Sequence, residues 1–351
     1  MISRQLIDSF IQLFKEKKFQ DLITKSNELT SIEERPSGLS NLIGLSKVLL
    51  NETSKENIIS SLDDFKDAYL KGKKEIFGME ALCNLITISV KNCKKYPELL
   101  KVLKDTEELY LEAEKNFSNN EKLLIAGADL FKYLINQKKV TEILDKLIKN
   151  NSSSKIIRCN YAFNNNFLYS WKAKEYFQYS QEFKNFFSKL KCKKITEINY
   201  NDNKKIKLGF VSGNLYNDHS VTYFLKNTFK YLNKEKFEIY VFSFGNKNNS
   251  KIVDDIKSNI NFNFDISNLD NQKVIDLIQN EKINILIDLF GVTSANRIEI
   301  FNNRVCPIQI SWMGYCNTIG FDTIDYILAD KNLISDDEKK YYSEQILELP
   351  D

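Results

Sequence analysis

One histidine, His219, occurs in 351 residues. Its imidazole suits proton chemistry near neutral pH, as an acid, a base or a neutral hydrogen-bond partner. The stretch around it reads Ile206-Lys-Leu-Gly-Phe-Val-Ser212, then Gly213-Asn-Leu-Tyr-Asn-Asp-His219, then Ser220-Val-Thr-Tyr-Phe-Leu225. An apolar strand runs into a Gly/Asn turn and leaves as an amphipathic helix. Ligands of open α/β sheets collect at the carboxyl ends of the strands. Helix N-termini there favour anions. His219 therefore stands where a substrate would sit, with Asn214 and Asp218 in the same turn. A surface-loop histidine with no task is the competing reading.

The totals narrow the chemistry. A net charge of +3 is too small for a nucleic-acid footprint. No apolar run approaches the ~20 residues that span a bilayer, and no signal peptide is visible at the N-terminus. The six cysteines form no C-x-x-C pair, and one histidine cannot complete a Cys/His cluster, so no zinc site is expected. Free thiols fit a reducing cytoplasm. The expectation is a cytoplasmic protein with no metal, nucleic-acid or membrane partner.

Residues 1–187 read as helices in pairs. Leu6, Phe10, Leu13 and Phe14 share one helical face, and Leu22, Ile23 and Leu29 mark a second helix. The layout recurs as 39–50 with 58–70, 79–90 with 99–113, and 123–134 with 140–148. From Leu39 to Met79 to Leu123 the spacing is about 40 and then about 44 residues, the period of a tetratricopeptide-like solenoid. A further pair spans 156–163 and 171–187, and its aromatics, among them Tyr161, Phe167, Tyr169 and Trp171, are expected in a junction core. The lysine-rich stretch 188–205 reads as a linker.

From residue 206 the pattern changes to short apolar runs: 206–212, 237–244, 260–265, 283–289, 308–311 and 324–328. Helices are expected at 220–232, 251–259 and 271–281. Unbroken apolar strands alternating with helices predict a parallel sheet covered on both faces, a doubly wound Rossmann-like domain over 206–351. No G-x-G-x-x-G follows the first strand, so dinucleotide binding is disfavoured.

Three ordered blocks carry a resemblance. They are the strand ending in Val211-Ser212 with its histidine turn, Asp288-Leu-Phe-Gly-Val-Thr-Ser-Ala-Asn-Arg297, and Pro307-Ile-Gln-Ile-Ser-Trp-Met-Gly-Tyr-Cys-Asn-Thr-Ile-Gly320 followed by Ile324-Asp-Tyr326. Over about 125 residues they resemble the start of the catalytic region in O-linked N-acetylglucosamine transferases and SPINDLY-like proteins, glycosyltransferase family 41. The resemblance implies a helical solenoid followed by one Rossmann-like half of a two-lobed GT-B glycosyltransferase. It also implies inverting transfer of a sugar, N-acetylglucosamine first among candidates, from a nucleotide diphosphate donor to protein Ser or Thr without a cofactor. By position, His219 is the catalytic residue facing donor and acceptor, Met313 and Gly314 touch the sugar, and Thr318 completes the loop with Gly320. Asn214 and Asp218 complete the implied substrate-binding set. The partners implied are a nucleotide sugar and an acceptor polypeptide held in the solenoid groove.

The departures sharpen the expectation. Asn214 stands where relatives carry an Asp before the histidine, and Asp218 is the nearest substitute. Cys316-Asn317 replaces Pro-Gly. Residues 349–351 fall where relatives would soon begin a second, nucleotide-binding half, so the chain is expected to be a fragment or a half-enzyme that binds little nucleotide sugar alone. The alternative is a non-catalytic helical-repeat scaffold with a degenerate transferase lobe. Trp312 and Tyr315 read equally as core or as sugar platforms, while Asp288, Asp325 and Asp330 read as caps or structural pairs.

Overall fold

A computed structural model describes residues 2–150, 152–187, 190–191, 205–216, 218–245, 248, 250–293 and 296–350. The chain divides into two compact units, Met1–Ile157 and Arg158–Asp351.

The first unit contains α1 (Arg4–Lys15), α2 (Phe19–Leu29), α3 (Ser37–Leu50), α4 (Lys55–Lys71), α5 (Ile76–Asn92), α6 (Leu99–Asn116), α7 (Glu121–Tyr133) and α8 (Gln137–Lys149). Consecutive helices pack as antiparallel pairs, and α5 packs on both α3 and α7. Local signals start several of them. Ser54 accepts from the Asn57 N–H, and Asn120 from the Leu123 N–H, satisfying amide groups that helix starts leave open. Contacts between repeats then recur at the expected period. Tyr69 donates to the Leu109 carbonyl, Asn84 to Asn41, Lys91 to Glu52 and Lys122 to Glu80, at separations of 40, 43, 39 and 42 residues. A helical-repeat solenoid follows, since each pair buries its apolar face on the next.

The unit boundary falls inside α9 (Lys155–Asn164). With α10 (Ala173–Phe186), most of the last helical pair belongs to the second unit, whereas the sequence grouped it with the repeats up to 187. The reason is packing: Phe183 of α10 stacks on Phe321, and Phe187 meets the same ring edge-on. Two of the junction aromatics are not core, for Phe167 and Tyr169 are exposed, Tyr169 at 90 %. Most of the expected 188–205 linker lies outside the described residues.

The sheet of the second unit contains β1 (Ile206–Ser212), β2 (Phe237–Ser243), β3 (Phe262–Asp265), β4 (Ile285–Asp288), β5 (Ile308–Ser311), β6 (Tyr326–Ala329) and β7 (Gln345–Glu348). Between them run α11 (Ser220–Tyr231), α12 (Lys251–Lys257), α13 (Asn271–Asn280) and the short α14 (Ile298–Phe301). All pairings are parallel, in the order β3-β2-β1-β4-β5-β6-β7. Chain direction reverses at β1/β4, the switch point of a doubly wound sheet, where ligands settle. One sheet face carries Leu208, Phe210, Ile287 and Leu289 against Val221, Leu225 and Phe229 of α11 and Val253 of α12. α14 and β7 were not read from sequence; four-residue elements are too short for a periodic signal.

Candidate functional site

Parallel register decides which strand ends meet. Val211 pairs with Asp288 and Asp288 with Ser311, so β1, β4 and β5 end together. The Leu289 N–H donates to Val211 at 3.1 Å, and the Trp312 N–H to Asp288 at 2.9 Å. The loop from Gly213 and the loop from Trp312 therefore leave the same sheet edge with only β4 between them. They also share a face: Trp312 and Met313 pack against the cluster holding Leu215, Tyr216 and Val221. The histidine turn and the Trp-Met-Gly turn, a hundred residues apart in sequence, flank one strand end.

His219 is the N-cap of α11, in extended conformation. Its Nδ1 accepts from the Val221 N–H at 3.3 Å, and its Nε2 lies 3.4 Å from the Asn214 side-chain amide. With Nδ1 accepting, the neutral ring carries its proton on Nε2, and the Asn214 amide can pair with it only through its oxygen, since its nitrogen is a donor too. The capped ring thus offers a donor. To accept a proton at Nε2 it must first move its own proton to Nδ1 and release the cap. Asn214 is held in turn by its N–H to Ser212 Oγ at 3.2 Å and by Thr222 Oγ1 donating to its carbonyl at 2.8 Å. Asp218 is engaged elsewhere: its two oxygens accept from Asn248 at 3.0 Å and Ser250 at 2.8 Å, tying this loop to the start of α12.

The second loop is built on strain. Met313 has φ +64°, and the Gly314 N–H returns to the Trp312 carbonyl at 2.8 Å, closing a γ-turn. A side chain at Gly314 would lie 2.5 Å from the Phe290 backbone, so the glycine is needed where the turn presses on the end of β4. Tyr315 is buried, Trp312 half-buried and Cys316 exposed. The Thr318 hydroxyl is buried, donating to Glu344 at 2.6 Å and accepting the Ser343 N–H at 3.1 Å. Gly320, at φ +82°, has Ser180 of α10 where its Cβ would be.

The fold thus brings His219 and Asn214 together, with Met313 and Gly314 across β4, while Asp218 and Thr318 spend their polar atoms on neighbouring backbone and side chains. Sequence reading gave no role to Glu344 and left that of Gln309 open. Gln309 is fully buried, accepts from Val305 and donates to the Phe301 and Thr323 carbonyls, so it organises the loops around β5. Glu344 precedes a short apolar run, the one signal that could have marked it as entering a strand. Asp288 caps its own turn by accepting from Phe290 at 2.9 Å and Gly291 at 3.0 Å, and burial pushes its carboxyl up to about 6. Asp325 pairs with both Arg304 nitrogens, and Asp330 caps the turn at Asn332. Among the described residues no group of three or more His, Cys, Asp or Glu side chains could hold a metal ion. No helix among them is long and apolar enough to cross a membrane.

Residues 184–351 match the model of glycosyl transferase family 41. Over these residues the chain is similar to members of that family. Among curated relatives, Arabidopsis thaliana "Probable UDP-N-acetylglucosamine--peptide N-acetylglucosaminyltransferase SPINDLY" is 30 % identical over 151 residues, 42 % of this chain and 16 % of the relative. The Arabidopsis protein of the same enzyme name called SEC is 30 % identical over 147 residues, 42 % of this chain and 15 % of its own length. Rice SPINDLY is 31 % identical over 147 residues, 41 % of this chain and 16 % of its own. The family 41 match thus spans about one-sixth of these relatives. A solved O-GlcNAc transferase mutant from Thermobaculum terrenum has the same fold, with a TM-score of 0.66 at 17 % identity over 90 % of this chain and 58 % of that one.

Proposed function

We propose that the family 41 segment is the first lobe of an inverting protein O-glycosyltransferase, which takes a sugar from a nucleotide diphosphate donor to Ser or Thr. The observation that carries the reading is the meeting of two loops at one strand end: the His219–Asn214 pair after β1 and the strained Met313–Gly314 turn after β5. N-acetylglucosamine on uridine diphosphate is the first donor to try, since the curated relatives are named for it.

In the reaction the acceptor oxygen bonds to the anomeric carbon. The bond from that carbon to the diphosphate breaks, and the electron pair leaves with the diphosphate. The acceptor proton passes to a base or to water. His219 orients the acceptor or the donor through its Nε2–H, and serves as base only after giving up the Val221 cap. The turn at Met313 brings backbone groups to the sugar. Charge on the departing diphosphate calls for helix N-termini and cations, which the family resemblance assigns to a second lobe. The helical repeats present the acceptor polypeptide.

The test uses the protein at its natural length. It is titrated with UDP- and GDP-sugars, and transfer to Ser/Thr peptides is compared between wild type and His219→Ala. Donor binding with turnover reduced at least tenfold in the variant is expected. Turnover equal to wild type removes His219 from the reaction. Absence of donor binding in the wild type favours the scaffold reading, in which the repeats bind protein and the lobe is inert.

A further inference from the structure

The loop that follows the Trp-Met-Gly turn is held from behind by three consecutive residues far along the chain. Tyr342 Oη donates to the Cys316 carbonyl at 3.1 Å. The Ser343 N–H donates to Thr318 Oγ1 at 3.1 Å, and that hydroxyl in turn donates to Glu344 Oε2 at 2.6 Å. Glu344 Oε1 accepts from the Ile319 N–H at 2.9 Å. Glu344 is only 4 % exposed, and no cation pairs with it among the described residues. A buried carboxylate without an ion pair is costly, and it persists only where donors converge on it.

From this geometry we infer that Glu344 is a positioning residue: with Tyr342 and Ser343 it sets the shape of the 316–320 loop, and through it the affinity for the nucleotide-sugar donor, without touching the sugar. The part concerning the donor rests on the function proposed above. The loop's chemistry explains why such a clamp is needed. Met313 sits in a left-handed conformation that an L-residue adopts only when its surroundings over-determine it. On the α10 side, Ser180 lies against Gly320 and blocks retreat. On the other side, Thr318 and Ile319 are tied to Glu344. The loop is therefore braced on both sides, and Thr318, named from sequence as a substrate contact, acts as the clamp's hinge pin. Burial raises the Glu344 carboxyl, which agrees with its enclosure.

The experiment compares wild type, Glu344→Gln, Glu344→Ala and Thr318→Val at natural length. Amide hydrogen exchange is read at Ile319, Ser343 and the β1 amides, and donor binding is read by calorimetry with UDP-N-acetylglucosamine, beside kcat at saturating donor. Glu344→Ala should speed exchange at Ile319 and Ser343 about tenfold or more while β1 is unchanged, because a hydrogen bond to a charged group is lost. Donor Kd should weaken by a similar factor with kcat within about threefold, and Glu344→Gln should fall between, since its one remaining acceptor serves only one donor. Thr318→Val keeps the shape without the hydroxyl and should reproduce the effect at Ser343, which covers the case of an unfolded Ala variant. Unchanged exchange at Ile319 and Ser343 in a folded variant overturns the clamp. Faster exchange with an unchanged donor Kd overturns its role in donor recognition. If the wild type binds no nucleotide sugar, the transferase reading falls, and the exchange rates alone decide whether Glu344 positions the loop.

Discussion

The two loops that flank the end of β4 are built in opposite ways. The loop after β1 is light: an N-cap imidazole, an amide 3.4 Å away, and an exposed aspartate reaching sideways to Asn248. The loop after β5 is tight, with a non-glycine residue at positive φ, a glycine against bare backbone, and a buried carboxylate behind it. The contrast teaches a division of labour. The imidazole sits where a cap can be made and released at a cost of about 1 kcal/mol, as the proposed role of His219 needs. A surface that must keep its shape is enclosed, so that distortion costs several times more.

The largest expected effect tests the tight side. Gly314→Ala puts a methyl group 2.5 Å from the Phe290 backbone, and should lower unfolding free energy by about 3 kcal/mol or more in urea denaturation. A loss under about 1 kcal/mol would show that this loop yields as easily as the other.

Next comes the carboxylate under both loops. Asp288 is raised from 3.8 to about 6 by burial. Its folded-state value exceeds the unfolded one, so the stability it contributes is full below about pH 4 and is lost as pH rises through about 6, a change of about 3 kcal/mol. The pH dependence of stability in Asp288→Asn, subtracted from that of wild type, should contain this slope; a flat difference between pH 4 and 7 contradicts it.

The light side should respond less. His219→Ala removes an N-cap and should cost about 1 kcal/mol by thermal or urea unfolding, far less than its effect on transfer. A stability loss near that of Gly314→Ala would erase the contrast between the loops. The smallest effect is expected for Asp218→Ala, whose exposed bonds to Asn248 and Ser250 are worth about 1 kcal/mol or less. Its pH–rate profile should overlay wild type, because the carboxylate is spent on the neighbouring loop; a shifted profile would return Asp218 to the side of His219.

Much of this was legible one element at a time. The 3.6-residue period located each helix pair of the repeats, and β1 and β5 begin and end where their apolar runs do. His219 was legible because a strand, a Gly/Asn turn and a helix start leave few places for the residue between them. Glu344 was not, since nothing near it in sequence hints at Thr318, 26 residues earlier. The packing at Gly314 was not legible either: a glycine's neighbours are invisible until the Phe290 backbone lies beside it. Periodicity groups the last helical pair with the repeats because it reports helices but not their partners, whereas Phe183 packs on Phe321.

Local pattern by itself thus determined the kind and order of the elements, the solenoid followed by a doubly wound parallel sheet, and the residue types at the strand ends, because periodicity and capping act over a few residues. Only the tertiary structure decided which ends meet, which polar atoms are already spent, and which loop is rigid. Those depend on register and burial between segments 25 to 138 residues apart, where a one-residue shift of a strand would turn every side chain to the opposite face.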